Sequence, residues 1–265
     1  MTSSWRLIAD DGPADGAWNM ALDRAIQLSC DSGDSPPTLR LYRWARPTVT
    51  LGRFQKPATV DGAYCASHGI DVVRRFTGGR GVLHDDELTY SIVCGTRDGI
   101  PRGVAASYRV LCAGLAEAYR LLGVDAGLTA TDRGDRRSAA CYLHATAADL
   151  SIGAQKLSGS AQVWSGDTVL QHGSFTIRRD VAVESRVFRL DDEATVLLAS
   201  RTATLSDLVA PVPAMGRIVD AVVCGASQAL GVSFAAGEPT CGEETLAREL
   251  LPQVTVVQDA ATDTK

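Results

Sequence analysis

The hydrophobic and polar positions of the chain follow two different repeats. Runs rich in β-branched and aromatic residues predict buried strands, whereas apolar positions three and four residues apart predict amphipathic helices. The predicted strands cover residues 39–44, 72–73, 88–93, 149–152, 156–164 and 169–177. The predicted helices cover residues 19–29, 104–122, 215–230 and 243–251. Residues 258–265 are expected to form a disordered tail.

These elements predict an α+β fold with a central mixed β-sheet flanked by α-helices. The sequence shows no internal repeat and no long linker, and 45% of its residues are hydrophobic, which is ample for a core. We therefore expect a single domain over residues 1–255, with a helical C-terminal part from about residue 178 and a short tail at 256–265.

Charge and composition exclude several classes of protein. A net charge of -5 argues against nonspecific nucleic-acid binding. No apolar run approaches the roughly 20 residues needed to span a bilayer, and the N-terminus lacks the apolar core of a secretory signal. The seven cysteines include no Cys-x-x-Cys pair, so neither a metal site nor a disulfide framework is expected. The sequence predicts a cytoplasmic protein with no membrane partner.

The segment 74–85 is a candidate ligand-binding turn. Two arginines, a threonine and three glycines lie there between predicted strands. Adjacent glycines allow backbone N–H groups to approach a ligand closely, at positions that a Cβ would obstruct. Most turns of this composition are ordinary hairpin turns, so the segment alone leaves both interpretations open.

Four other segments accompany this turn in a fixed order. Residues 15–23 and 39–55 precede it, residues 153–162 place Lys156 before a run of small residues, and residues 170–175 contain a histidine beside a glycine. Together the five segments resemble the lipoate–protein ligase and octanoyltransferase family, part of the wider biotin/lipoyl ligase group. The resemblance covers roughly residues 5–177 and implies the biotin/lipoyl protein ligase catalytic-domain fold, with a ligand tunnel across one face of the sheet.

Cys141 is the residue on which the predicted function depends. Cys141 and Tyr142, followed by Asp149 and Lys156, resemble the Cys-Phe…Glu…Lys arrangement of the octanoyltransferase branch. In that branch the cysteine takes an acyl group as a thioester, and the lysine is thought to hold the acyl carbonyl. The other six cysteines lack such a context and are expected to be structural.

The resemblance also implies a set of substrate-binding residues. The small residues expected to line the acyl tunnel are Thr77, Gly78, Gly79, Gly159 and Ser160. Arg75 matches an arginine near the polar end of the ligand. Arg80 replaces a third glycine that is common in ATP-dependent ligases; it either meets the phosphate of a carrier's phosphopantetheine arm or forms a surface salt bridge. His84 and His172 are either proton shuttles or hydrogen-bonded structural residues.

The leading hypothesis is an octanoyltransferase that acts through a Cys141 thioester. It would take an octanoyl group from an acyl carrier protein and deliver it to the target lysine of a lipoyl domain or glycine-cleavage H protein. Such an enzyme needs no cofactor, because the donor is already activated. A monomer is expected. The loop 129–138, with Arg133, Arg136 and Arg137, is the candidate docking surface for an acidic carrier.

Three alternatives stay open. The first is an ATP-dependent lipoate–protein ligase that forms lipoyl-adenylate with ATP and magnesium in the same pocket. The second is a non-catalytic protein that binds acyl carriers, which Cys141 and Lys156 in their motif positions disfavour. The third is biotin transfer, which the Arg-Arg-x-Thr-Gly-Gly run disfavours because it resembles the lipoyl side of the group.

Overall fold

The computed structural model describes residues 3–129, 133–134, 138–145 and 149–256, with the backbone alone at 10, 11, 133, 134, 144 and 145. In chain order its strands are β1 (Ser4–Ala14), β2 (Thr38–Trp44), β3 (Thr48–Leu51), β4 (Asp71–Arg74), β5 (Val82–His84), β6 (Glu87–Gly95), β7 (Gly127–Leu128), β8 (Arg133–Gly134), β9 (His144–Ala145), β10 (Leu150–Ile152), β11 (Gln155–Ser158), β12 (Ser160–Ser165), β13 (Thr168–Thr176) and β14 (Ser233–Ala236). Its helices are α1 (Gly16–Ser32), α2 (Gly62–Ser67), α3 (Val104–Leu121), α4 (Val181–Val187), α5 (Asp192–Arg201), α6 (Leu205–Leu208), α7 (Met215–Leu230) and α8 (Cys241–Val254).

A mixed six-stranded sheet forms the centre of the fold, in the order β12-β13-β6-β2-β1-β14. β1 runs parallel to β2 and to β14, and the remaining neighbours pair antiparallel. The mixed sheet with flanking helices that the sequence predicted is confirmed. β1 and β14 were not predicted, because β1 contains acidic, glycine and proline residues in its second half and β14 is only four residues long.

Side chains along the central strands point alternately to the two faces of the sheet, and each face has its own hydrophobic core. Leu39 and Leu41 of β2 face a core that also contains α3 and α7, while Tyr42 faces the opposite core with α1 and α8. The two longest helices of the C-terminal part pack on helices from the first half of the chain, α7 on α3 and α8 on α1. The sheet is covered by helices on both faces.

The glycine-containing turn is a crossover between strands that do not pair with each other. β3 lies between β4 and β5, pairing parallel with β4 and antiparallel with β5. The ordinary hairpin interpretation of this segment is therefore wrong. β3 occupies the position that a hairpin partner would need, so the backbone must cross the end of β3, where it comes close to Gly52.

The predicted strand over residues 156–164 is two strands in two sheets. β11 pairs with β10 in a small sheet of the order β11-β10-β7, and β12 pairs with β13 in the central sheet. The chain changes partner at Gly159. The sequence pattern did not indicate this break. Both halves have buried positions, and a change of pairing partner does not alter the hydrophobic periodicity.

The predicted helices all exist. The bounds of α7 agree with the prediction, and α1 and α8 extend beyond their predicted ends by two or three residues at each terminus. No helix in the described part of the chain is long and apolar enough to cross a membrane. The predicted tail at 258–265 lies outside the described residues.

Candidate active site

A cavity lies between α1, the facing side of the central sheet and the small sheet that contains β3 and β5. It has about 450 Å³ of empty space, part of which is open to solvent. Met20, Tyr42 and Trp44 form part of its wall, and Cys141 lies at the cavity as well. Apolar walls with one candidate nucleophile suit the binding of an acyl chain.

Cys141 is held beside the glycine-containing turn by backbone hydrogen bonds. Its N–H donates to the carbonyl of Gly81 at 2.8 Å, and the N–H of Gly81 donates to the carbonyl of Ala139 at 3.0 Å. Cys141 then begins a single 3₁₀ turn, Cys141–Leu143. Its side chain is partly accessible. The turn and the candidate nucleophile, 60 positions apart in sequence, therefore form one unit.

Lys156 is a buried cation beside the Cys141 sulfur. Only 2% of Lys156 is exposed. Its Nζ lies 3.0 Å from Asp149 Oδ2, 3.3 Å from the carbonyl oxygen of Cys141 and 3.6 Å from Cys141 Sγ. Burial alone would lower the pKa of Lys156, but the charges of Cys141 and Asp149 outweigh burial and raise the pKa above its usual value. The structure thus brings together the three residues of the predicted Cys…Asp…Lys pattern.

This arrangement can support acyl transfer. The thiolate is the nucleophilic form of a cysteine, and a fixed ammonium lies 3.6 Å from the Cys141 sulfur. The same ammonium can stabilise the negative charge that develops on a carbonyl oxygen attacked by that sulfur. Asp149 orients Lys156 and keeps it protonated, so Lys156 serves as a fixed positive charge.

Arg75 is buried behind the glycine-containing turn and ties it together. Its Nη2 donates to the carbonyls of Gly78 at 2.8 Å and Arg80 at 2.7 Å. Its Nη1 donates to the carbonyl of Thr50 at 2.9 Å, and its Nε to Thr77 Oγ1 at 3.1 Å. The guanidinium therefore fixes the backbone of the turn against β3, and it also lines the cavity.

The first of two hydrogen-bond chains leads from Arg75 to a buried aspartate. Thr77 Oγ1, which accepts from Arg75, lies 2.7 Å from His172 Nε2, and His172 Nδ1 lies 3.3 Å from Asp23 Oδ2. These partners assign Nδ1 as the protonated nitrogen of a neutral imidazole. Burial lowers the pKa of His172 even with Asp23 beside it. Burial opposes ionisation of Asp23, but His172, Arg40 and Ser91 lower its pKa overall.

A second chain repeats this pattern on the other side of Arg75. Nη1 of Arg75 lies 3.2 Å from Thr50 Oγ1, which lies 2.9 Å from His84 Nε2. His84 Nδ1 lies 2.7 Å from Glu87 Oε1. Burial opposes ionisation of Glu87, but His84 and two hydroxyl donors lower its pKa. Both nitrogens of both histidines are occupied, which favours a positioning role over proton transfer.

The other predicted site residues divide between the cavity wall and the layer behind it. Gly79, Gly159 and Ser160 line the cavity. Thr77 and Gly78 are not among the residues that line this cavity, and their place at the acyl tunnel stays a prediction. The Thr77 hydroxyl is engaged by Arg75 and His172, and the Gly78 carbonyl is engaged by Arg75.

Arg80 is half-buried after Gly79 and is absent from the described cavity lining. The side chains of Arg133, Arg136 and Arg137 lie outside the described residues, so the docking surface on the loop 129–138 stays a prediction.

The sequence interpretation missed the two carboxylates that end the hydrogen-bond chains. Asp23 lies on α1 and Glu87 begins β6. A usable signal was present in β6, where Glu87, Thr89 and Ser91 occupy alternate positions of an otherwise apolar strand. Polar side chains repeated on one face of a strand expected to be buried indicate a buried polar network.

Four of the six remaining cysteines fit the predicted structural role, and two do not. Cys30, Cys65, Cys94 and Cys112 are buried, and burial raises the pKa of Cys30 and of Cys65 to about 11. Cys224 on α7 and Cys241 at the start of α8 are exposed to solvent. Within the described residues, no cluster of three or more His, Cys, Asp or Glu could hold a metal ion.

Comparison with known proteins agrees with this geometry. Residues 15–227 match the family model of the lipoyl protein ligase A/B catalytic domain. The octanoyltransferase LipM of Kyrpidia tusciae is 36% identical over 94% of this chain and 95% of its own length. The octanoyltransferase LipM of Symbiobacterium thermophilum is 37% identical over 95% of both chains.

Solved structures show the same fold. Lipoate-protein ligase A bound with ATP is 27% identical, with a TM-score of 0.79, over 94% of this chain and 95% of that chain. A bi-partite lipoate protein ligase from Thermoplasma acidophilum is also 27% identical, with a TM-score of 0.77, over 95% of this chain and 93% of that chain. The chain therefore belongs to the lipoyl protein ligase A/B family, and it is an enzyme of the acyltransferase type.

Proposed function

We propose that this chain is an octanoyltransferase that carries the octanoyl group on Cys141. The donor is the thioester of an octanoylated acyl carrier protein, and the acceptor is the target lysine of a lipoyl domain or glycine-cleavage H protein. The observation that carries the proposal is the position of Cys141 Sγ, 3.6 Å from the buried ammonium of Lys156 at an apolar cavity. The octanoyltransferases to which the chain is similar over nearly its full length support the same activity.

The first step transfers the acyl group to the enzyme. The Cys141 thiolate attacks the carbonyl carbon of the donor thioester, and the bond between that carbon and the carrier's sulfur breaks. The carrier leaves as a thiolate and takes up a proton. Because one thioester replaces another, the exchange is nearly balanced and needs no ATP. Lys156 stabilises the oxyanion formed during the attack.

The second step transfers the acyl group to the acceptor. The neutral ε-amine of the acceptor lysine attacks the carbonyl carbon of the Cys141 thioester, and an amide bond forms as the carbon–sulfur bond breaks. The amine loses a proton, and Cys141 returns to the thiolate. An amide is more stable than a thioester, so this step drives the overall transfer.

The cavity supports an acyl chain as the transferred group. Its apolar wall includes Met20, Trp44 and Val82. Burying each methylene contributes about 0.8 kcal/mol, so two fewer carbons should weaken binding by about 1.6 kcal/mol. We propose no cofactor. Monomeric state, cytoplasmic location and the absence of nucleic-acid and membrane partners stay predictions.

The ATP-dependent lipoate–protein ligase is the second candidate. It is favoured by the similarity in fold to a ligase bound with ATP. It is less supported, because the curated relatives at 36% and 37% identity over nearly the full length carry the name octanoyltransferase. In that case the cavity would hold lipoyl-adenylate, and Cys141 would take no part.

A transfer assay distinguishes the two candidates. The purified chain and its Cys141→Ser variant are each incubated with octanoyl-carrier protein and an apo lipoyl domain, without ATP. Product on the lipoyl domain from the wild type and none from the variant is the expected result. Product that appears only with free lipoate, ATP and magnesium, equally in both proteins, would establish the ligase.

A further inference from the structure

A second cavity adjoins the catalytic one and is rich in arginine. It contains about 1010 Å³ of empty space, part of it open to solvent. Arg24 of α1, Arg53 of the loop after β3 and Arg74 at the end of β4 line it, with Phe76 and Trp164 as aromatic walls. We call these five residues the arginine groove. Nothing in the proposed transfer chemistry uses them.

The groove is built on a clamped loop. Arg74 Nη1 donates to the carbonyls of Gly52 at 2.9 Å, Arg53 at 3.2 Å and Gln55 at 2.7 Å. The N–H of Arg53 donates to the carbonyl of Thr77 at 2.9 Å. Residues 52–55 are thus fixed against the glycine-containing turn, and the position of Arg53 is set by the same backbone that holds Cys141.

The groove is positively charged in a chain whose net charge is -5. None of its described lining residues carries a carboxylate, and no described ion pair includes Arg24, Arg53 or Arg74. Burial and then the charge of Arg53 lower the pKa of Arg24, while Asp31 acts in the opposite direction. A groove lined by three arginines and by no carboxylate among its described residues is suited to an anion.

The groove and the catalytic cavity share a wall, because Arg75 lines both. The two cavities are therefore neighbours, as an extended ligand with a different chemical group at each end requires. The prosthetic arm of an acyl carrier has this form, with a thioester at one end and a phosphodiester at the other. Guanidinium groups bind phosphate through paired hydrogen bonds, and aromatic walls suit the intervening arm.

We propose that the arginine groove binds the phosphodiester of the donor's phosphopantetheine arm while the thioester reaches Cys141. The inference rests on the proposed function. It assigns the phosphate to Arg24 and Arg53 instead of to Arg80, which the sequence suggested. Phosphate recognition at this place would favour a thioester on an arm that carries the phosphate over a thioester on an arm that lacks it.

The test uses three octanoyl donors and measures the rate of octanoyl adduct formation on the enzyme by intact mass spectrometry. The donors are octanoyl-carrier protein, free octanoyl-phosphopantetheine and octanoyl-pantetheine, which lacks the phosphate. The variants are Arg24→Gln, Arg53→Gln and the double variant. Arg217→Gln on α7 is the charge-matched control, because α7 packs on the opposite face of the sheet from α1.

Each groove substitution should lower kcat/KM by about tenfold for both phosphate-containing donors, as expected for one lost charge-assisted contact. With octanoyl-pantetheine the variants should react within about twofold of the wild type, which also shows that they are folded. Equal losses with all three donors, or no loss with any, would overturn the proposal. A loss confined to the intact carrier would also overturn it, since the groove would then bind the carrier's protein surface. No adduct on the wild type with any donor would instead refute the proposed function.

Discussion

At the scale of single residues, the site depends on charges fixed in buried positions. Lys156 is held by Asp149, and Arg75 is connected through Thr77 and Thr50 to two histidine–carboxylate pairs. A buried charge is costly unless it is paired and hydrogen-bonded, so these residues stabilise the native state only as complete sets. Removing one member should affect both stability and chemistry.

Replacing Lys156 by methionine tests the role of the buried cation. We expect Lys156→Met to lower the free energy of unfolding by about 3–5 kcal/mol, because Asp149 loses the ammonium that pairs with it. Formation of the octanoyl adduct on Cys141 from octanoyl-carrier protein should slow by about 100-fold, because the oxyanion loses the ammonium that lies 3.6 Å from the Cys141 sulfur. Chemical denaturation and mass spectrometry measure the two effects.

Lys56→Met is the matched control, since Lys56 is exposed. It should change neither quantity measurably. A rate of adduct formation in Lys156→Met equal to that of the wild type would contradict the role assigned to Lys156 in stabilising the oxyanion.

The buried His172 should make stability depend on pH. Its pKa is lowered in the folded protein, so below pH about 6.5 the unfolded chain takes up a proton before the folded protein does. Stability therefore falls as the pH falls from about 6.5 through the lowered pKa of His172. We expect His172→Gln to show a shallower fall in unfolding free energy over this range, whereas His68→Gln, at an exposed position, should follow the wild type. Parallel pH profiles for wild type and His172→Gln would be incompatible with a buried neutral imidazole.

At the scale of elements, the glycine-containing turn shows what close packing of backbones requires. A Cβ on Gly52 would lie 2.0 Å from the carbonyl oxygen of Gly79, so the two backbones cannot come as close with any other residue at 52. A Cβ on Gly78 would have no atom within 4 Å. Only one of these two glycines is therefore demanded by packing.

A pair of alanine substitutions tests this difference. Gly52→Ala should force the turn away from β3 and lower the free energy of unfolding by about 2–4 kcal/mol, within the range of severe strain or overpacking. Gly78→Ala should stay within about 0.5 kcal/mol of the wild type. Thermal unfolding of both variants measures the effects, and equal melting temperatures would refute the close approach of residues 52 and 79.

Element types were predictable from sequence where a repeat extends over many residues. α3 and α7 have long amphipathic patterns, and β6 and β13 have continuous strand patterns, so these elements agree with their predictions. The partner change at Gly159 was not predictable, because strand pairing depends on contacts distant in sequence. The predicted family and acyltransferase activity are confirmed by the comparisons.

The candidate site was predictable from sequence only where a motif marks its residues. The motif placed Cys141 and Lys156, and the structure brings them together. The sequence assigned Thr77 to the tunnel because small residues leave room for a chain, but its hydroxyl is used in the layer behind. Asp23 and Glu87 were missed, since a buried carboxylate looks like a surface residue until its partners are known.

At the scale of the whole molecule, contacts between the two ends of the chain hold α8 to the sheet. Arg6 of β1 donates from Nη1 to Glu243 Oε2 of α8 at 2.8 Å and from Nη2 to Oε1 at 2.5 Å. Ser35 donates to the same carboxylate at 2.7 Å. The predicted single domain over residues 1–255 stays a prediction, which these contacts and the packing of α7 on α3 support.

Neutralising Glu243 tests this connection. Glu243→Gln should lower the free energy of unfolding by about 3–5 kcal/mol at pH 7, because Arg6 stays buried without its counterion. Burial opposes the ionisation of Glu243, but Arg6, Thr240 and Ser35 lower its pKa overall. The ionised carboxylate therefore contributes to the free energy of unfolding above pH about 4.5, and this contribution is lost as the pH falls further. Glu244→Gln, at the next position of the same helix, should cost less than about 1 kcal/mol. Equal costs for the two variants in denaturant titrations would show that the Arg6–Glu243 pair does not hold the helix.

The central claim is that Cys141 carries the acyl group between two proteins. The most direct measurement isolates the octanoyl-enzyme, removes the donor completely and mixes the enzyme with an equimolar apo lipoyl domain, without ATP. Intact masses of both proteins are followed in a single turnover. We expect the octanoyl mass to leave the enzyme and to appear on the lipoyl domain at the same rate. An octanoyl-enzyme that persists, or that loses its acyl group to water while the lipoyl domain stays unmodified, would contradict it.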